Sequence, residues 1–148
     1  MRKFSVVALL MLGCSAQAQD DRRLLEAIGQ VEGVRDSIGD RGKSLGRYQM
    51  QPAAWADANA KLKSEGRRTY PRSSWREATA QDMIAAAYLR VIRERLANDG
   101  NPTPSVEIVA LCWNRGFAGA RAIGFAPNGY AYRVGNLFRL QDKPIKAK

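Results

Sequence analysis

The sequence predicts an α+β domain that is mainly α, with a small β-hairpin or irregular loop as its only extended part. Two observations predict it. Apolar residues recur at helical spacing through most of the chain, and no strand signal exceeds one short glycine-punctuated stretch that follows Glu32. No internal repeats interrupt this plan.

Residues 1–18 read as a secretory leader. Arg2 and Lys3 precede an apolar run from Val6 to Gly13, and Ala16-Gln17-Ala18 supplies small residues for cleavage. The run is too short to span a membrane, so no transmembrane segment is expected. Leu12-Gly13-Cys14 offers a second reading, a lipoprotein signal acylated at Cys14, but Met11 is unusual at its start. Simple secretion, to the periplasm or the exterior, is the expectation. Residues 19–140 then form one domain and 141–148, QDKPIKAK, a basic tail.

The first domain helix carries Leu24, Leu25, Ile28 and Val31 in one sector when placed at about 100° per residue. Glu32 falls in that sector, between Ile28 and Leu25. A carboxyl set against core residues is desolvated, its pKa rises, and it can hold a proton for general acid catalysis. The plain alternative is a glutamate at a helix end that reaches solvent. Gly39, Gly42 and Gly46 follow, with Asp40, Ser44, Tyr48 and Gln49 among and after them. Asp36, one turn past Glu32, is another candidate for a second carboxylate but reads better as a helix end.

Gln51 to Glu65 reads as the second helix, with Pro52 in its first turn and Gly66 after it. Trp55 on its apolar face suits the core or the floor of a sugar subsite. The loop from Gly66 to Ala78 interleaves Arg67, Arg68, Tyr70, Arg72, Trp75 and Arg76. Such a loop suits a glycan cleft, a single-strand nucleic-acid platform, or a solvated surface with one anchoring tryptophan. Thr79 is expected to cap the third helix, which runs to about Asn98, with Asp82 completing a capping box. Thr103 is expected to cap the fourth, with Pro104 at its first position. VEIVALCW is apolar almost all round, which marks a buried helix, with Glu107 and Asn114 as exceptions on one face. Phe117 to Gly124 reads as a short helical turn, and Asn128-Gly129 leads into a last amphipathic helix.

Composition narrows the chemistry. The chain has no histidine, which excludes Ser-His-Asp and Cys-His catalysis and histidine-based zinc sites. No metal or cofactor is expected. Beyond the leader only Cys112 remains, so an internal disulfide framework is excluded. Loss of Arg2 and Lys3 takes the 24 basic residues to 22 against 14 acidic ones, a net charge of +8. Such a chain is drawn to polyanions, although charge alone also serves solubility.

With these residues in view, Glu32-Gly33, the turn Gly42 to Gly46, Tyr48-Gln49-Met50 and Trp113-Asn114-Arg115-Gly116 come in an order that resembles the lysozyme-like superfamily. That group includes soluble lytic transglycosylases and goose-type and invertebrate-type lysozymes. The resemblance covers roughly residues 22–138. It departs from the family at Gly33, where transglycosylases have Ser, and at Trp113, where they have Tyr. It departs from invertebrate-type lysozymes in lacking their disulfides, which points to a bacterial relative.

The resemblance implies a lysozyme-like fold with the hairpin beside a cleft, and cleavage of β-1,4 glycosidic bonds in peptidoglycan with Glu32 as general acid. Ser44, Tyr48, Gln49, Trp113 and Asn114 become candidate substrate-binding residues. Asp40 is the candidate second carboxylate if the reaction is hydrolysis, whereas a transglycosylase needs only Glu32. The implied partner is a peptidoglycan glycan strand, with anionic wall polymers as a further one; no nucleic acid is expected, and the protein is expected to be a monomer. A catalytically silent wall- or chitin-binding module and a cationic polyanion binder are the competing classes.

Overall fold

In a computed structural model, residues 5–141 are described, with side chains from residue 16 onward. The tail beyond Gln141 and the side chain of Cys14 lie outside the described residues. The described chain is a mainly helical α+β arrangement of five helices and one small two-stranded antiparallel sheet. Helix α1 spans Ser5–Glu32 and runs without a break through the expected cleavage site. Strands β1 (Ile38–Gly39) and β2 (Ser44–Leu45) follow, then α2 (Pro52–Ser64), α3 (Ala78–Asn98), α4 (Val106–Ala122) and α5 (Gly129–Leu140). No helix among the described residues is long and apolar enough to cross a membrane.

The core is built where the apolar stripes meet. Leu24, Leu25 and Ile28 of α1 are buried, as are Ile84, Leu89, Ile92 and Leu96 of α3. In α4 five consecutive residues, Val109 to Trp113, are buried, which explains the helix's nearly unbroken apolar sequence. α4 packs mainly on α5, α2 on α3, and α1 on α5 and α3. This leaves the C-terminal end of α1, the hairpin and the start of α5 as neighbours. Gly116 interrupts α4 with φ 72° and ψ 157°, a left-handed excursion that glycine tolerates best, so the expected turn from Phe117 becomes a redirected second half of α4.

Several local expectations shift. α1 ends at Glu32, so Asp36 lies in the turn beyond it. α3 starts at Ala78 with Glu77 at its N-cap and no side-chain cap bond, so neither Thr79 nor Asp82 caps it. The 3₁₀ turn Arg72–Ser74 feeds directly into the helix through Glu77 N–H to Ser74 O (2.9 Å). Asp82 instead accepts the Tyr48 hydroxyl (2.9 Å). α4 is capped by Ser105, whose hydroxyl accepts from Ile108 N–H (3.3 Å), rather than by Thr103. Ser105 provides the same acceptor without taking Pro104 into the helix.

The aromatic candidates of the middle region are structural. Trp55 is buried and donates to Tyr70 O (2.8 Å), so it supports the loop and floors no sugar site. Trp75 is also buried, with the Arg76 guanidinium 4.2 Å from its ring centroid. The Gly66 to Ala78 loop is thereby tied down by the aromatic rings that were candidates for an open stacking surface.

Candidate functional site

Glu32 is the last residue of α1, and its carboxyl is half-buried. The helix stops there because the chain turns: Gly33 N–H closes on Gly29 O (3.2 Å), and Val34 N–H donates to Ser37 Oγ (2.9 Å). The apolar sector of α1 therefore delivers Glu32 to the rim of the core. Its Oε1 accepts the hydroxyl of Tyr130 (2.7 Å), from the first turn of α5. Among the described residues no other side-chain hydrogen bond to the Glu32 carboxyl is seen, which leaves Oε2 for a transferable proton. Burial is the largest influence on this carboxyl and pushes its pKa above the ordinary glutamate value. The Tyr130 hydrogen bond pulls it down, the Asp40 charge pushes it up and Arg133 pulls it down, with a net upward shift. Burial, then the Glu32 charge, pushes the Tyr130 phenol far up, so Tyr130 remains a neutral donor.

Tyr130 is absent from the candidates that the sequence offers. Its hydroxyl meets Glu32 across 98 residues of chain, a separation that no local pattern spans. The available signal is Asn128-Gly129: Asn128 Oδ1 caps α5 by accepting from Ala131 N–H (2.9 Å) and so sets Tyr130 in the first turn. The Asn128 amide also donates to Asn114 Oδ1 (3.2 Å). Asn114 thus lies exposed beside the α5 cap.

Asp40 belongs to the hairpin. β1 and β2 pair Ile38 with Leu45 and Gly39 with Ser44, and the intervening 3₁₀ turn places Asp40 and Arg41 at φ 48° and 57°. The Asp40 carboxylate is fully exposed. It accepts from the Ser44 hydroxyl and from Gln51 Nε2 (3.2 Å), and these two bonds, Ser44 first, hold its pKa below the ordinary aspartate value. Ser44 is itself buried and turned toward Asp40. Gln49, partly exposed, donates to Gly46 O (2.8 Å) and steadies the end of the hairpin.

The other two candidates sit beneath the hairpin. The Tyr48 ring is 5% exposed and its hydroxyl is engaged by Asp82. Trp113 is 8% exposed, donates to Tyr48 O (3.4 Å), and meets the Tyr48 and Tyr88 rings edge-on at 6.4 and 5.3 Å. These contacts make Tyr48 and Trp113 the support on which the hairpin rests. The predicted residues therefore divide by element: Glu32 ends α1 and meets Tyr130 of α5, whose cap Asn128 bonds Asn114, while Asp40, Ser44 and Gln49 belong to the hairpin region and Tyr48 and Trp113 are packed together in the core. Among the described residues no group of three or more acidic, Cys or His side chains could hold a metal ion.

What this arrangement can do is donate one proton. A half-buried carboxyl of raised pKa, held at one oxygen by a neutral phenol, has the geometry and electrostatics that suit a general acid. Asp40, held ionised by its turn, has none of these properties. Comparison of the chain with protein-family models, with curated proteins and with solved structures gives no match in any of the three.

Proposed function

We propose that this protein cleaves β-1,4 glycosidic bonds in the glycan strands of peptidoglycan, with Glu32 donating the proton to the departing glycosidic oxygen. The observation that carries the reading is the Glu32 carboxyl, half-buried at the end of α1 with its pKa raised and Oε1 held by Tyr130. The order of motifs that resembles the lysozyme-like superfamily supplies the substrate class, and the mainly helical architecture with a hairpin beside Glu32 is compatible with a lysozyme-like fold.

The environment of Asp40 favours transglycosylation over hydrolysis. A hydrolytic partner carboxylate has to face the developing positive charge at the anomeric carbon. The Asp40 oxygen Oδ2 is instead taken up by Ser44 and Gln51. With one acid, Glu32 protonates the leaving oxygen, the substrate's own acetamido group stabilises the anomeric centre, and Glu32 then takes the proton from the 6-hydroxyl that closes a 1,6-anhydro ring. The same carboxyl ends the cycle protonated. Clearing of a peptidoglycan suspension tests the reading: the leaderless wild-type chain lowers turbidity, and a folded protein that binds the wall without clearing it would reassign the chain to the binding modules.

A further inference from the structure

The loop between α2 and α3 has a second property that the burial of its rings leaves in place. From Gly66 to Arg76 it contains four arginines and no acidic residue. Its backbone is pinned along its length. Asn59 pairs with Tyr70 in both directions: Nδ2 donates to Tyr70 O (2.8 Å), and Oδ1 accepts Tyr70 N–H (2.9 Å). A 3₁₀ turn follows at Arg72–Ser74, and Gln81 Nε2 donates to Trp75 O (2.6 Å).

On this fixed backbone three of the arginines, spaced four residues apart, are themselves held. The guanidinium carbon of Arg68 lies 5.0 Å from the Tyr70 ring centroid and that of Arg76 lies 4.2 Å from the Trp75 centroid. Both rings are buried and both arginines are exposed. A cation over a ring face is positioned without spending its N–H groups on a hydrogen bond. Arg72, between them, donates from Nη2 to Lys43 O, which seats the loop against the hairpin tip and brings the exposed residues Arg41 and Lys43 to the same surface. The fourth arginine, Arg67, is drawn toward Glu65 (3.8 Å). Asp40, tied to Ser44 and Gln51, and Glu77 flank the surface, and the cations outnumber them. Guanidiniums fixed in advance lose little freedom on meeting an anion, and their planar fork matches phosphate oxygens.

The geometry points to this loop and the hairpin tip as a docking surface for a linear phosphodiester polymer of the bacterial envelope, with successive phosphates meeting Arg68, Arg72 and Arg76. Two features choose this polyanion over others. Binding of nucleic-acid bases calls for open aromatic faces, and Tyr70 and Trp75 are buried. Binding of a lipid surface calls for apolar side chains that enter it, and none of the large exposed apolar residues lies in the loop or in residues 40–43. The inference takes from the peptidoglycan reading only its envelope setting; Glu32 has no part in the surface.

Anisotropy titration of labelled poly(glycerol phosphate) with the full chain at low salt tests the surface without calling on catalysis. Saturable binding is expected, weakened roughly five- to tenfold by Arg68→Gln with Arg76→Gln, and with a shallower fall of affinity as salt is added. Arg22→Gln with Lys63→Gln removes the same charge from exposed positions of α1 and α2 and should bind nearly as wild type does, as should Glu32→Gln. Arg68→Lys with Arg76→Lys keeps the charges but gives up the planar fork, and should fall in between; it reads the surface even if the glutamine pair folds poorly. No saturable binding to folded wild type, or equal losses in the two glutamine pairs, overturns the surface. Tighter binding of oligo(dT) or of phosphatidylglycerol vesicles than of the polymer overturns the choice of partner. A wild type that binds the polymer yet clears no wall keeps the surface and loses the catalytic reading; one that clears wall without binding the polymer does the reverse.

Discussion

Glu32 and Asp40 are eight positions apart and chemically alike, yet the fold pushes them in opposite directions. Glu32 ends a helix whose apolar face enters the core, so burial dominates and protonation is favoured. Asp40 sits in a left-handed turn in full solvent, where Ser44 and Gln51 favour the ionised form. Two carboxyls separated in this way suit different roles: the buried one suits proton exchange, and the exposed one ties its turn to the Ser44 and Gln51 side chains. The number of carboxylates near a cleft therefore says less about mechanism than the environment of each.

Replacing Glu32 should break that comparison at its stronger end. Glu32→Gln keeps the acceptor for Tyr130 but removes the proton, and turnover on wall glycan should fall by roughly 10²–10⁴. Release of dye from labelled peptidoglycan measures it.

Tyr130→Phe should cost less, roughly tenfold in turnover, through lost orientation of the carboxyl. Its pH signature is sharper. The acid works protonated, so activity falls as pH rises through the Glu32 pKa. The phenol stabilises the carboxylate, so its removal raises that pKa further and moves the alkaline limb of the profile to higher pH. A limb that stayed in place would mean the hydrogen bond does not act on the catalytic form.

Asp40→Asn should have a smaller effect, a few-fold at most in turnover, because Asn also supports left-handed turns. Loss of the Asp40 charge removes an upward push on Glu32, so here the alkaline limb should move slightly down, opposite to Tyr130→Phe. A loss comparable to that of Glu32→Gln, with unchanged melting temperature, would make Asp40 a second catalytic carboxylate and the reaction a hydrolysis.

The smallest effect concerns stability. The folded pKa of Glu32 lies above its unfolded value, so the benefit of its proton is complete below the unfolded pKa and is lost as pH rises through the folded one. Glu32→Gln, always neutral, should melt close to wild type in acid and above it at neutral and alkaline pH. Thermal scans across that range read the difference.

How much of this was legible in the sequence depended on distance along the chain. The burial of Glu32 was written in the spacing of Leu25 and Ile28 around the same helix, and the hairpin in its glycines. The caps of α3 and α4 were not, because Asp82 was drawn away by Tyr48 from 34 residues off and Ser105 competed with Thr103. Tyr48 and Trp113 carried a binding pattern by resemblance, while their packing on one another depends on the meeting of hairpin and α4. Tyr130 was invisible for the same reason: only tertiary contact makes it Glu32's partner.

Mass spectrometry of the fragments released from purified peptidoglycan by wild type and by folded Glu32→Gln shows whether Glu32 drives the proposed cleavage of wall glycan. Wild type should release fragments ending in 1,6-anhydro sugars, and Glu32→Gln essentially none. Equal release by the two proteins would mean that Glu32 is not the acid.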